Sequence, residues 1–359
     1  MEWLESLILG AVQGLTEFLP VSSDGHLNIT QEAFARWKGV ERSGAKDLFF
    51  DVMLHLGTLA AIVIYYRAVA KTGARGLLGS TEVPPAYRRR AVVRVGLLAG
   101  VATTPLIPLA LFLKKWIEKS FEGLTTTGVG FLITASVLLL SVWLQRNEGE
   151  GKGPSETTWL DALLIGTAQM FAPLPGVSRS GLTVAAALGL GLSRGWAVGF
   201  SLLLAVPAIL GATALELIKV DASSLSRDRV AQMVAAAALA GVVGYGAIIW
   251  LVKIVRSGRM WYFSVYLVVL GVAVLAVAAT RPSSPGGSPD ARSTNAADRT
   301  LRRGGPGSPA GRVAGRAAGV VAGPLAPGPG AGSDRAGAGR PGRSGAAGLV
   351  LGRPLAGRR

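Results

Sequence analysis

Two short loops hold chemistry that an apolar chain has no packing reason to keep. In the first, Gln13 and Glu17 lie four residues apart in an otherwise apolar run, so on a helix they share one face, one turn from each other. A carboxylate in such a run is expensive, and its default explanation is functional. Pro20 ends the run, and Ser22, Ser23, Asp24, Gly25 and His26 follow. Glu17 and Asp24 are hard oxygen donors that together suit a divalent cation, Mg²⁺ or Ca²⁺. An imidazole beside serines can act as base or nucleophile. The same residues also read as an N-cap turn opening the next helix.

The second loop runs from Pro173 to Gly181, with Gly176, Ser178, Arg179, Ser180 and Gly181 in order. Successive backbone N–H groups in a glycine-rich turn form a nest for anions. A helix N-terminus after the turn adds partial positive charge, and a guanidinium fork fits two phosphate oxygens. Gly176, Ser178, Ser180 and Gly181 therefore read as a phosphate cradle around Arg179. An acidic, histidine-bearing loop opposite a basic one is what metal-assisted phosphoryl transfer needs.

Each loop closes an apolar helical run, Leu4–Pro20 and Trp159–Pro175, and the two segments look like copies of one element. At a fixed offset of 156 residues Leu7 meets Leu163, Gly10 meets Gly166, Gln13 meets Gln169, Ser22 meets Ser178 and Gly25 meets Gly181. Paired interrupted segments of this kind mark an inverted-repeat membrane protein with a site near mid-depth. Both runs stop short of the roughly 20 residues that cross a bilayer, so they are read as re-entrant.

Six other stretches are long and apolar enough to span: Leu48–Tyr66, Val92–Leu113, Leu124–Leu144, Ala197–Leu217, Val230–Val252 and Tyr262–Ala279. The expected fold is an all-α polytopic membrane protein, six transmembrane helices plus two re-entrant elements in inverted repeats of about 1–145 and 157–280. Excess Lys and Arg marks the cytoplasmic side. Arg67–Ala91 and Lys253–Trp261 carry that excess and are placed inside, with Lys114–Gly123 and Ile218–Arg229 outside. The N-terminus lacks a basic start and a small-residue cleavage site, so it is expected to be retained.

Composition agrees with a membrane class: 50% of residues are hydrophobic and 16% charged. The absence of cysteine rules out disulfides and thiol chemistry. The formal net charge of +16 is uneven, because residues 281–359 hold thirteen Arg against three Asp. That tail also has 19 Gly and 10 Pro, so disorder is expected of it. It contains no aromatic residue on which a base could stack, and nucleic-acid binding is not expected.

The segment Gln13–His26 and the segment Pro175–Gly181 closely resemble the two signatures of the bacterial undecaprenyl pyrophosphate phosphatase family, the bacitracin-resistance proteins. Phe50–Thr58 and Phe200–Pro207 look like its other recurring segments, and the resemblance covers Glu2 to Ala279. It implies an enzyme of the bacterial cytoplasmic (inner) membrane, with its site open to the outer side. The enzyme would remove the terminal phosphate of undecaprenyl pyrophosphate and recycle the lipid carrier for cell-wall synthesis. Bacitracin would then compete for the substrate lipid rather than bind the protein, and a homodimer belongs to the same expectation. Position by position, the family's paired acidic motif falls on Gln13 and Glu17, its serines on Ser22 and Ser23, its histidine on His26 and its arginine on Arg179. Gln13 stands at the first acidic position, and Asp24 where threonine is commoner, so Asp24 is the candidate to join Glu17 as a metal ligand.

The mechanism expected on this basis is in-line attack on the terminal phosphorus by Ser23, with His26 as its base. Glu17 would orient the pyrophosphate, directly or through the cation, and Arg179 would stabilise the equatorial oxygens. If His26 is the nucleophile instead, a phosphohistidine forms. His55 is read as a supporting or packed histidine. Inverted repeats with broken helices also build secondary transporters, so a lipid-phosphate flippase using the same site is the alternative.

Overall fold

A computed structural model describes residues 2–40, 48–108, 123–144, 151–217 and 226–280 of the 359-residue chain. The expected disordered tail lies outside these residues, as do 109–113 of the span expected at Val92–Leu113, 114–122 of the loop expected at Lys114–Gly123 and 218–225 of the loop expected at Ile218–Arg229. Regular structure among the described residues is helical, apart from one isolated bridge between Lys152 and Leu192. The helices are α1 (Trp3–Phe18), α2 (Ser23–Trp37), α3 (Leu48–Tyr65), α4 (Arg67–Leu77), α5 (Arg89–Thr103), α6 (Leu124–Leu144), α7 (Trp159–Gln169), α8 (Arg179–Gly189), α9 (Arg194–Leu217), α10 (Arg227–Arg256) and α11 (Trp261–Ala279).

Five of them are long and apolar enough to cross a membrane: Arg89–Pro108, Leu124–Leu144, Arg194–Leu215, Arg227–Arg256 and Trp261–Ala279. The sixth expected span, Leu48–Tyr66, passes only together with α4, and the pair bends by 69°. Leu48–Tyr65 is apolar apart from Asp51, His55 and Thr58, whereas α4 brings Arg67, Lys71 and Arg75. A straight continuation past Tyr66 would carry these cations on along the apolar axis, where each would be costly in a hydrocarbon core.

Neither re-entrant candidate is a span. The 16 residues of α1 reach roughly 24 Å at 1.5 Å each, against a core of about 30 Å. Leu19 is extended (φ −65°, ψ 146°), as the residue before a proline prefers. The second run is shorter than its composition suggests, for α7 ends at Gln169 rather than continuing to Pro175. Pro173 would clash with the Gln169 carbonyl and disfavours helix at Ala172, so Met170–Pro175 forms turns instead. Each hairpin then returns through a capped helix: Ser22 accepts the Gly25 N–H at 3.3 Å, and Ser178 accepts the Gly181 N–H at 3.0 Å.

The two hairpins lean on opposite halves of the chain. A Cβ on Gly10 of α1 would lie 2.5 Å from the Ala236 carbonyl oxygen of α10, and one on Gly166 of α7 would lie 2.2 Å from that of Ala102 on α5. Equivalent glycines thus admit equivalent close helix contacts, the device by which membrane helices approach without bulky side chains. Arg94 of the first half donates to the Pro154 and Thr157 carbonyls at 2.7 and 2.6 Å, and within the second half Trp196 donates to the Thr157 hydroxyl at 2.8 Å.

Candidate active site

The turns after α1 and α7 meet on α6. A Cβ on Gly25 would sit 2.6 Å from the Phe131 ring and 3.0 Å from Gly176 Cα. Gly176 has φ +83°, and a side chain there would strike the Thr127 carbonyl at 2.1 Å. Only glycine serves at a left-handed position pressed on a neighbouring backbone. Thr134 locks the junction, donating to the Gly176 carbonyl and accepting the Ser178 N–H, both at 3.0 Å.

This contact aims two helix N-termini at one place. Ser23 is the first residue of α2 and Arg179 the first residue of α8, equivalent positions at the 156-residue offset. Unpaired N–H groups and the positive helix ends point where an anion would sit. Ser22, just before Ser23, is the described non-glycine residue held at positive φ (+70°), a conformation that persists only where its surroundings impose it.

Glu17 is the hub. Its side chain is 3% exposed and bonded from three sides. Oε1 takes a very short contact from Arg179 Nη2. Oε2 accepts from Ser23 Oγ at 2.7 Å and from Gln13 Nε2 at 3.0 Å. His55 Nε2 stands 3.7 Å away, its ring fixed by Nδ1 against the Asp51 carbonyl at 2.7 Å. A buried carboxylate is tolerable in this setting because it is paired and hydrogen-bonded. Chemically, a hydroxyl on a carboxylate beside a guanidinium can supply a nucleophile, a base and an oxyanion clamp.

The expected residues divide by what they touch. Glu17, Ser23 and Arg179 come together. His26 does not join Ser23 as its base: Nδ1 faces the Ser22 carbonyl at 2.7 Å and Nε2 the Tyr266 hydroxyl at 2.7 Å. The hydroxyl of Ser23 is bonded to Glu17 instead, so the carboxylate stands where the sequence suggested the imidazole. Gln13 is fully buried and supports Glu17 rather than opening to a phosphate. Ser22 and Ser178 hydroxyls are spent on helix caps, and Ser180 donates to the Leu19 carbonyl at 2.9 Å, tying one hairpin to the other. Gly176 and Gly181 are packing positions, the latter within 3.2 Å of Ser178 and Thr134 side-chain atoms for any added Cβ. What remains for the anion is the Arg179 fork and the two helix ends.

A resident divalent cation fits this donor set poorly. A carboxylate offers about four lone-pair directions, and three of those on Glu17 already face protein donors. Asp24 is not drawn onto Glu17 by any hydrogen bond or ion pair described, and no group of three or more His, Asp or Glu suited to a metal occurs among the described residues. Tyr266, Phe131 and Thr134 carried no signal in the sequence, since each is an ordinary residue of an apolar span.

Comparison with known proteins agrees with the geometry. The family described as bacitracin resistance protein BacA matches residues 6–273. An undecaprenyl-diphosphatase of Carboxydothermus hydrogenoformans is 38% identical over 283 residues, 78% of this chain and 98% of the relative. Relatives bearing the same name from Desulfatibacillum aliphaticivorans and Desulfosudis oleivorans are 36% and 39% identical, each over 77% of this chain and 98% of the relative.

Proposed function

This chain belongs to the bacitracin resistance protein BacA family, and on that premise we propose that it hydrolyses undecaprenyl pyrophosphate to undecaprenyl phosphate and phosphate. The observation that carries the reading is Ser23 Oγ bonded to Glu17 Oε2 at 2.7 Å, beside Arg179. A flippase needs the arginine but has no use for a nucleophile poised on a buried base, so hydrolysis is favoured over transport.

The terminal phosphate enters between the N-termini of α2 and α8, and Arg179 turns its fork from Glu17 to the phosphate oxygens. Ser23 Oγ attacks the phosphorus and gives its proton to Glu17. The bond to the bridging oxygen breaks, and the prenyl phosphate leaves with that electron pair. Arg179 and the helix-end N–H groups stabilise the equatorial oxygens as charge grows on them. A water then cleaves the phosphoseryl bond, and Glu17 returns the proton to Oγ. Gln13 and His55 keep the carboxylate aimed throughout.

The divalent cation belongs, in this reading, to the substrate: Mg²⁺ or Ca²⁺ arrives on the pyrophosphate and no step runs through a protein-held metal. A chelator should therefore lower turnover, while the substrate-free protein retains no stoichiometric metal on gel filtration. The enzyme is placed in the bacterial inner membrane with the site open to the outer side, as a homodimer, and bacitracin acts by sequestering the lipid. Phosphate release from a long-chain prenyl pyrophosphate by purified protein in detergent tests the activity. Trapped phosphoenzyme stable in acid and labile in alkali supports Ser23; acid-labile label would transfer the nucleophile's role to His26. Folded protein that releases no phosphate with Mg²⁺ or Ca²⁺ present would sink the reading.

A further inference from the structure

His26 meets a residue 240 positions away that the reaction as derived leaves idle. The Tyr266 hydroxyl of α11 lies 2.7 Å from His26 Nε2, and the two rings stack with centroids 5.8 Å apart and planes 13° from parallel. On its other edge the imidazole meets Phe131 at 5.2 Å in a T-shaped contact. Its second nitrogen, Nδ1, faces the backbone carbonyl of Ser22 at 2.7 Å.

These partners decide the tautomer. A carbonyl oxygen only accepts, so Nδ1 carries the hydrogen. In the neutral ring Nε2 is then a bare lone pair, and the phenol donates to it. Four constraints (two hydrogen bonds, one stacked face and one edge) hold a ring that sits three residues from the nucleophile. Tyr266 is 46% exposed, so its hydroxyl can leave the imidazole without a buried group being stranded.

We propose that Tyr266 is a positioning residue for His26: its hydroxyl keeps Nε2 unprotonated and in place, ready to take the proton of the water that cleaves the phosphoseryl bond. The inference rests on the hydrolytic reading above. In that second step the water oxygen bonds to phosphorus and the P–Oγ bond breaks. Ser23 Oγ recovers the proton held by Glu17, and the water's proton passes to His26 Nε2, where the phenol had donated. His26 thus serves hydrolysis of the intermediate rather than its formation, which agrees with Ser23 being bonded to Glu17 and not to the imidazole.

The chain has two histidines, so a ¹⁵N-histidine spectrum of the full-length protein contains two imidazoles, and His55→Gln assigns them. The wild type should show His26 with a protonated Nδ1 and an unprotonated, hydrogen-bonded Nε2. Tyr266→Phe keeps the stacked ring and removes one hydrogen bond. It should shift the Nε2 resonance and lower kcat about three- to tenfold, the worth of one such bond, with KM unchanged or lower and phosphoenzyme accumulating. Tyr266→Leu, which loses the ring as well, should be worse than Tyr266→Phe. A wild-type spectrum with protonated Nε2, or a Tyr266→Phe enzyme with unaltered kcat and Nε2 resonance, overturns the proposal. A wild type that releases no phosphate at all overturns the hydrolytic reading instead, and the spectrum remains readable in that event.

Discussion

At the scale of single residues, the site turns on how one buried carboxylate is shared. Glu17 meets Arg179, Ser23 and Gln13 at once, so Glu17→Gln removes the base and leaves the guanidinium without its anion. Turnover should fall by about 10²- to 10⁴-fold, the range typical of a lost general base, and a steady-state phosphate assay measures it. Residual activity within tenfold of wild type would mean that Ser23 finds its base elsewhere. Arg179 makes the converse argument. A planar fork holding two phosphate oxygens is not replaced by a point charge, so Arg179→Lys should be nearly as inactive as Arg179→Ala. A lysine variant close to wild type would show that only the charge is used.

At the scale of elements, close helix contacts hold the two hairpins in place. Ala for Gly normally favours a helix by about 1 kcal/mol, but the Cβ at Gly10 or Gly166 would strike a backbone carbonyl at 2.5 or 2.2 Å. Backbone cannot rotate aside as a side chain can, so the clash, costing about 1–3 kcal/mol, should outweigh that gain. Gly10→Ala and Gly166→Ala are expected to melt earlier in detergent. Gly246→Ala on α10, which meets nothing within 4 Å, should be neutral or slightly stabilising. Equal melting of all three variants would refute the packing account. The two hairpins also explain why one site arises from two copies: position by position, Ser23 answers Arg179 and Glu17 answers Pro173. One copy presents the proposed nucleophile at its helix end and the other the proposed clamp.

At the scale of the whole molecule, residues 6–273 match the family and the relatives are covered almost end to end without 281–359. Truncation after Thr280 should therefore leave phosphate release within about twofold of the full chain, well inside the 1.4 kcal/mol that a tenfold change represents. Loss of most activity by a truncated protein that still inserts would give the tail a role. The proposed orientation rests on the basic stretch Arg67–Ala91. A single cysteine can be introduced into this cysteine-free chain without background. At Asp24 it should react with an impermeant thiol reagent in intact cells, and at Thr81 only after the membrane is breached. The opposite pattern would reject the topology.

What the sequence determined by itself was local in origin. Apolar runs, proline stops and serine caps placed the end of α1 and the starts of α2 and α8, because propensity and capping act within a few residues. Glu17, Ser23 and Arg179 stood out because polar groups in an apolar run are costly to keep. Two features within single segments still escaped it: the 69° turn at Tyr66 and the early end of α7 at Gln169. Tertiary structure alone decided which partners the polar groups take. Ser23 bonds Glu17 and not His26, His26 bonds Tyr266, and His55 lies along Glu17. Those choices depend on how closely α1, α2, α3 and α11 approach. The approach is set by glycines meeting backbone tens to hundreds of residues away, and no local pattern records that distance.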